Sequence, residues 1–132
     1  MGKGQCFLDQ EVETRRGKIR HLNVIISNAD ADFNSLVVPI TTWYEINGRP
    51  IPTQDNSCVL PPDCHPFIKH KSYAKYKMAR SLNSIDLANG LFKGEFIKQQ
   101  DMSVQYVQDL QRGAEASPYL PDQLKRFFDY FL

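Results

Sequence analysis

Two stretches of the chain decide its fold: residues 19–27, which read I-R-H-L-N-V-I-I-S, and residues 36–43, which read L-V-V-P-I-T-T-W. Both are rich in β-branched and apolar residues, so each predicts a β-strand. The segment between them, residues 28–32, is typical of a loop because Asn and Asp side chains hydrogen-bond their own backbone in turns. Pro39 cannot donate a hydrogen bond to a neighbouring strand, so we expect it at an edge or a bulge.

The remaining pattern adds short strands and then helices. Residues 5–8, 57–60 and 91–97 indicate short strands, and residues 72–82 alternate as a half-buried strand with Lys75 and Lys77 on its outer face. From residue 101 the apolar positions recur at helical spacing up to Gly113. A second helix is expected after Pro118, where an apolar stripe follows the i, i+3, i+4, i+7 pattern at Leu124, Phe127, Phe128 and Phe131.

These elements predict a mainly β fold with C-terminal helices, of the α+β class, built as a small β-barrel or curled sheet. We expect one domain over residues 1–132, with the barrel at about 4–100 and the helices at about 101–132. Such a stripe would leave a large exposed patch on so short a chain, and exposed apolar patches usually mark contacts. The stripe therefore predicts a twofold homodimer.

Composition bounds the class of protein. The chain has 132 residues, of which 42% are hydrophobic and 23% charged, with a net charge of +1. These values fit an ordinary soluble domain and exclude wholesale disorder, collagen-like repeats and a disulfide-dense miniature. The sequence contains no signal-peptide pattern or membrane-length apolar run, and its three cysteines have no CxxC spacing. We therefore expect a cytoplasmic protein with free thiols and no membrane association.

The cations are concentrated in two acid-free runs. The first basic run comprises Arg15, Arg16, Lys18 and Arg20, and the second comprises Lys69, Lys71, Lys75, Lys77 and Arg80. Together the two runs hold nine of the sixteen cations of the chain. If the runs meet in space they form a positive surface for nucleic acid, whereas two separate solvated faces would be the simpler interpretation. His70 lies within the second stretch and joins the predicted RNA-binding set.

Familiar catalytic motifs are absent. The sequence has no phosphate-binding glycine loop and no GxSxG nucleophile motif. Cys64, His65 and His70 could form a zinc site or a thiol–imidazole pair, but they lie in a proline-broken loop without an oxyanion-hole motif. The favoured interpretation is a loop whose histidines are hydrogen-bonded or exposed. We expect no metal and no cofactor.

Arg20, at the start of one predicted strand, and Thr41, at the end of another, offer a different chemistry. Cleavage of RNA without a metal requires a base for the 2′-hydroxyl, an acid for the leaving oxygen, and donors for the charge that develops on the phosphate. Arginine suits the last task through its fixed fork of donors. His21 and His70 are candidates for proton transfer because histidine titrates near neutral pH.

The order of I-R-H-L-N-V-I-I-S-N, L-V-V-P-I-T-T and the later S-Y-A-K-Y-K-M-A-R-S-L segment resembles the MazF/PemK toxin family over about residues 4–112. The resemblance implies an SH3-like barrel and a homodimeric, metal-independent endoribonuclease. As the toxin of a type II toxin–antitoxin system, such an enzyme would cut single-stranded RNA and be restrained by an acidic antitoxin. By position it gives Arg20 the role of the family's catalytic arginine and Thr41 that of its catalytic threonine.

The chain departs from the family pattern in three places. His21 follows the arginine where the family commonly has proline, the loop around residues 65–70 is longer, and Lys75 and Lys77 stand where some members carry an arginine and an aspartate. The aromatic side chains near the predicted site are candidates for base stacking: Trp43, Tyr44, Phe67 and Tyr73. The alternative function is a non-catalytic binding module of the same fold that binds nucleic acid or a protein, as the gyrase-poisoning relatives do.

Overall fold

The computed structural model describes residues 2–9, 11–15, 17–128 and 132. Within these residues nine strands precede the first helix, after which helices and strands alternate up to residue 116. The longest strand, Asn34–Thr42, lies near the middle of the main sheet. The strands are β1 Cys6–Leu8, β2 Val12–Thr14, β3 Gly17–Ile19, β4 Leu22–Ile25, β5 Asn34–Thr42, β6 Glu45–Ile46, β7 Arg49–Pro50, β8 Val59–Leu60, β9 Ser72–Ala74, β10 Arg80–Asn83 and β11 Ile97–Gln99. The α-helices are α1 Ser84–Lys93 and α2 Val104–Ala116, and 3-10 helices span Tyr76–Met78 and Asp122–Phe127.

The main sheet has seven strands in the order β11-β1-β4-β5-β9-β8, with β10 also paired to β5. Its pairings are antiparallel, and β4 meets β5 in a register that joins Leu22 to Ile40 and Ile25 to Val37. Two hairpins, β2–β3 and β6–β7, form separate two-stranded sheets. The predicted α+β class with helices towards the C-terminus is confirmed. No pairing among the described residues closes the sheet, so the SH3-like barrel stays a prediction.

The central strands are buried on both faces, which explains their continuous apolar sequence. Successive side chains of a strand point to opposite faces, so Leu22 and Val24 enter the larger core, whereas Ile25 enters the smaller one. The larger core is completed by α2 through Leu110 and neighbouring residues. The smaller core is covered by α1, which contributes Leu87. The sheet therefore lies between two apolar layers.

The predicted strand at residues 72–82 is wrong as a continuous element. It consists of β9, the 3-10 helix Tyr76–Met78, and β10, and this break leaves Met78 exposed, although alternation places it inside. Pro39 explains the break, because its missing N–H falls where the partner of β5 changes from β10 to β9. The Lys75 N–H donates to the Pro39 carbonyl at 3.0 Å across this gap. The proline thus lies in an interior strand, at a bulge in its partner.

The predicted strand at residues 91–97 is also wrong, because residues 84–93 form α1. The Asn83 side chain caps its start by accepting the Ile85 N–H, and Gly94 ends it in the left-handed conformation. Phe96 packs over Gly90 so closely that a β-carbon there would lie 2.3 Å from the ring. The helix predicted from residue 101 is confirmed as α2, but its predicted end is wrong, because α2 continues through Gly113 to Ala116.

The C-terminal apolar stripe is largely buried within its own domain. Leu124 and Phe127 are 5% and 0% exposed, and Phe128 packs against the larger core, whereas Phe131 lies outside the described residues. The described segment is a short 3-10 helix in place of the predicted long helix. The stripe is therefore not the exposed patch that the sequence predicts, and the homodimer stays a prediction.

The three cysteines are free thiols. Burial raises the pKa of Cys6 to about 12 and that of Cys58 to about 11, and it also raises the pKa of Cys64. Such thiols are poor nucleophiles because the reactive species is the thiolate. Within the described ranges, no helix is both long and apolar enough to cross a membrane.

Candidate functional site

Asp9, just after β1, organises the segment that carries Arg20 and His21. Its Oδ1 accepts the His21 N–H at 3.0 Å, and its backbone carbonyl accepts a hydrogen bond from Arg20 Nη1 at 2.9 Å. Its Oδ2 accepts a hydrogen bond from the Asn23 side chain at 3.1 Å. One acidic residue therefore fixes the backbone of His21 and the direction of the Arg20 side chain.

Asn23 links this segment to Arg80. It is fully buried in β4, and its Nδ2 donates to Asp9 and to the His21 carbonyl. Its Oδ1 accepts a hydrogen bond from Arg80 Nη1 at 3.0 Å. A buried amide with donor and acceptor both satisfied is a stable arrangement, and here it holds one end of the Arg80 guanidinium.

Arg80 is the first residue of β10 and is half-buried. Burial lowers the pKa of its guanidinium, and the negative charge of Asp9 opposes that shift. An arginine keeps its charge in proteins, and four of its five N–H donors remain after the bond to Asn23. Partial burial strengthens the attraction of such a cation for an anion because the surrounding dielectric is low.

Arg80 faces a cleft of about 260 Å³. We call it the Arg80 cleft and define it by the polar residues Asp9, His21, Thr41, Lys75 and Arg80, which line it together with Pro39 and Met78. It combines three basic side chains, one hydroxyl and one carboxylate. This set can bind a phosphate and supply hydrogen-bond donors to it.

A second cleft, of about 310 Å³, adjoins the first. Its lining includes Arg20, His21, Thr41, Phe67, Lys69 and His70, and we call it the His70 cleft. His21 and Thr41 line both clefts and so form their common wall. The structure thus brings the three predicted catalytic residues, Arg20, His21 and Thr41, to one cleft, with the predicted RNA-binding residues Lys69 and His70 beside them.

The loop that carries Lys69 and His70 is anchored by His65. This histidine is 2% exposed, and its Nε2 lies 2.6 Å from the Gln100 carbonyl, to which it donates. Its Nδ1 accepts the Phe67 N–H at 3.0 Å. With both ring nitrogens occupied, His65 positions the loop, whereas His70 is exposed. In the part of the chain that the structure describes, no three His, Cys, Asp or Glu side chains form a group that could hold a metal ion.

The other described residues of the predicted RNA-binding set line neither cleft. Arg15 and Lys18 are exposed on the β2–β3 hairpin, Lys77 is exposed on the 3-10 helix, and Arg16 lies outside the described residues. The Lys71 ammonium lies 5.6 Å from the centroid of the Trp43 ring, within range of a cation–π interaction. Among the described residues of the first basic run, only Arg20 lines a cleft.

The aromatic candidates for stacking divide in the same way. Phe67 and Tyr44 line the His70 cleft and are 39% and 36% exposed. Tyr73 is 8% exposed and packs edge-on against Trp43, with ring centroids 5.6 Å apart. The packed rings of Trp43 and Tyr73 therefore stabilise the structure around the site, whereas Phe67 and Tyr44 are accessible to a ligand.

Sequence reasoning missed Asp9 and Asn23, and it assigned Arg80 to RNA binding alone. Asp9 and Asn23 carry no motif. The pairing of β1 with β4 brings Asp9 beside Asn23, and the pairings of β5 with β4 and with β10 bring Asn23 near Arg80. Comparison of the chain with protein-family models, with curated proteins and with solved structures finds no match.

Proposed function

We propose that the chain is a metal-independent endoribonuclease that cuts single-stranded RNA at the wall shared by the Arg80 and His70 clefts. One observation carries the proposal: Thr41 and His21 stand between Arg20 on one side and the anchored guanidinium of Arg80 on the other. A phosphate above Thr41 would meet donors from both clefts. An SH3-like barrel is part of the same proposal.

In the proposed reaction, a histidine removes the proton of the 2′-hydroxyl and the 2′-oxygen attacks the adjacent phosphorus. The bond from phosphorus to the 5′-oxygen then breaks, and the leaving oxygen takes a proton from a second acid. His21 and His70 line the same cleft and are the residues for these two transfers. Negative charge grows on the phosphate oxygens during this step. Those oxygens accept hydrogen bonds from Arg20, Arg80 and Thr41.

Such an enzyme fits the toxin of a type II toxin–antitoxin pair, and an acidic antitoxin would complement its basic clefts. A contact surface for a partner or a second copy is offered by α1, where Phe92 and Ile85 are 93% and 64% exposed. Light scattering at micromolar concentration tests the homodimer that we propose. The mass of a single chain would contradict it.

The decisive experiment incubates purified protein with labelled single-stranded RNA, with and without EDTA. We expect cleavage in both, and loss of about 10²–10³ in rate for Arg20→Ala and for Thr41→Val. Valine keeps the β-branched shape of threonine and removes only the hydroxyl. Arg112→Ala is the matched control, because Arg112 is an exposed arginine of α2 that lines neither cleft.

Two outcomes would count against the proposal. Cleavage at the normal rate by both Arg20→Ala and Thr41→Val would remove the assignment of the site. If the protein binds the RNA but leaves it intact, the chain is a non-catalytic binding module and the nuclease is contradicted.

A further inference from the structure

A third depression continues the track of the two clefts. It has a volume of about 350 Å³, within the range of small-ligand pockets, and its lining includes Asp55, Tyr73, Lys75, Tyr76, Lys77 and Tyr119. We call it the tyrosine pocket. It shares Lys75 with the Arg80 cleft, so one ammonium group borders both.

Its three tyrosines are held differently. Tyr76 is fully buried, and its hydroxyl donates to the Leu110 carbonyl of α2 at 2.7 Å. Tyr73 is nearly buried against Trp43. Tyr119, at 50% exposed, is the ring that can receive a planar ligand. The pocket thus has a fixed aromatic floor and one accessible aromatic face.

Asp55 supplies the polar group of the pocket and is 6% exposed. Its Oδ1 accepts the Ser57 N–H at 2.9 Å and the Ser57 hydroxyl at 2.6 Å, and its Oδ2 accepts the Ser117 hydroxyl at 2.6 Å. A carboxylate offers about four acceptor positions, so one remains for a ligand. Because the Tyr119 N–H donates to Ser117 Oγ at 3.1 Å, the same network also positions the backbone of Tyr119.

We propose that the tyrosine pocket binds the nucleobase beside the phosphate that is cut, and that it prefers a base with an exocyclic amino group. Tyr119 stacks on the base, Asp55 accepts a hydrogen bond from the amino group, and Lys75 contacts the phosphate between the pocket and the Arg80 cleft. Uracil has no amino group, and its one donor on that edge, the ring N3–H, lies between two carbonyl oxygens that a carboxylate repels, so Asp55 disfavours it. The inference rests on the proposed function, since it assigns one substrate subsite to that active site.

Binding is measured by fluorescence anisotropy with five-nucleotide 2′-O-methyl oligoadenylate, oligocytidylate and oligouridylate, whose blocked 2′-oxygens prevent cleavage. We expect the first two to bind about tenfold more tightly than oligouridylate. Tyr119→Ala should weaken their binding by about tenfold, whereas Tyr119→Phe keeps the ring and should bind normally. Phe33→Ala, which removes a 62% exposed aromatic ring that lines neither the tyrosine pocket nor the two clefts, is the control.

Asp55→Asn should abolish the preference over oligouridylate, because an amide presents both a donor and an acceptor. Tyr119 is exposed, so its variants test the pocket even if Asp55→Asn does not fold. If Tyr119→Ala binds the oligonucleotides and cleaves RNA normally, the proposed base-binding role of the pocket is wrong, and the proposed nuclease activity stands. Tyr119-dependent binding by a wild-type protein that cuts no RNA would instead overturn the nuclease and support the pocket.

Discussion

The two basic runs hold four and five cations and contain no acidic residue, but they occupy different positions in the molecule. Arg15 and Lys18 of the first run are exposed on the β2–β3 hairpin, which forms a separate two-stranded sheet. In the second run, Lys75 and Arg80 line the Arg80 cleft, and Lys69 lines the His70 cleft. The difference shows that the packing beneath a run of cations, more than its charge, determines whether the run forms a site.

Two buried residues produce that difference. Tyr76 stands between Lys75 and Lys77 and reaches into the larger core, so its neighbours in sequence are held at the surface above it. Asn23 holds the Arg80 guanidinium through its Oδ1. No described residue of the first run has an anchor of this kind except Arg20, which donates to the Asp9 carbonyl.

The largest effect that tests this comparison is the change in RNA cleavage rate when a single arginine of each run is replaced. Arg80→Ala should reduce RNA cleavage by about 10²–10³, because it removes an anchored donor to the phosphate. Arg15→Ala should change the rate by no more than about threefold, as expected of an exposed side chain. Single-turnover cleavage rates provide the measurement, and equal losses in the two variants would break the comparison.

Arg80→Lys distinguishes the fork of donors from the charge. Lysine keeps the positive charge but cannot present two parallel donors, so we expect the rate to stay well below that of the wild type. Thermal unfolding of both Arg80 variants shows whether any loss comes from unfolding, since Asn23 loses a partner in Arg80→Ala.

The second effect concerns RNA affinity. The double variant Lys75→Glu with Lys77→Glu should weaken binding by at least about tenfold and reduce the salt slope by about 1.4, the value for two lost contacts to single-stranded phosphate. Arg15→Glu with Lys18→Glu imposes the same charge change on the hairpin and should alter both quantities less. Binding titrations at several salt concentrations measure both quantities. Identical slopes for the two double variants would show that the second run is a solvated surface that does not bind RNA.

The sequence predicts the strands that carry this site because their apolar content is high. Residues 19–27 and 36–43 contain β4 and most of β5, and the expected catalytic residues Arg20, His21 and Thr41 lie at one cleft. It does not predict the break in residues 72–82, because alternation continues in the sequence while Pro39 of another strand interrupts the pairing. It misses Asp9 and Asn23 because their roles depend on contacts between β1, β4 and β10.

The third effect is on stability and tests the anchor beneath the second run. Tyr76→Phe removes the hydroxyl that donates to the Leu110 carbonyl, so we expect a loss of about 1 kcal/mol in the free energy of unfolding. Tyr119→Phe removes a hydroxyl from a half-exposed ring and should leave the free energy nearly unchanged. Urea unfolding measures both, and equal values would show that the anchor contributes nothing through its hydroxyl.

The smallest effect comes from Arg126, a cation outside both runs whose charge serves stability. Its Nη1 lies 2.6 Å from Asp30 Oδ2, and this hydrogen bond is the main cause that lowers the pKa of Asp30 from its ordinary value of 3.8. Arg126→Gln should therefore cost less than about 1 kcal/mol at pH 7, as expected of an ion pair at the surface. Lys125→Gln is the control, because Lys125 and its partner Asp122 are both well exposed.

The pH dependence of that cost has a definite sign. Because folding lowers the pKa of Asp30, the stabilisation is complete above pH 3.8 and is lost as the pH falls through the lower pKa of the folded state. The difference in unfolding free energy between wild type and Arg126→Gln should therefore shrink below pH 3.8. Urea unfolding from pH 7 down to pH 2 measures it, and a difference that stays constant would show that the pair is not electrostatic. A difference that shrinks would show that the charge of Arg126 is neutralised by Asp30 within the fold. Lys75 and Arg80 differ in that they line a cleft.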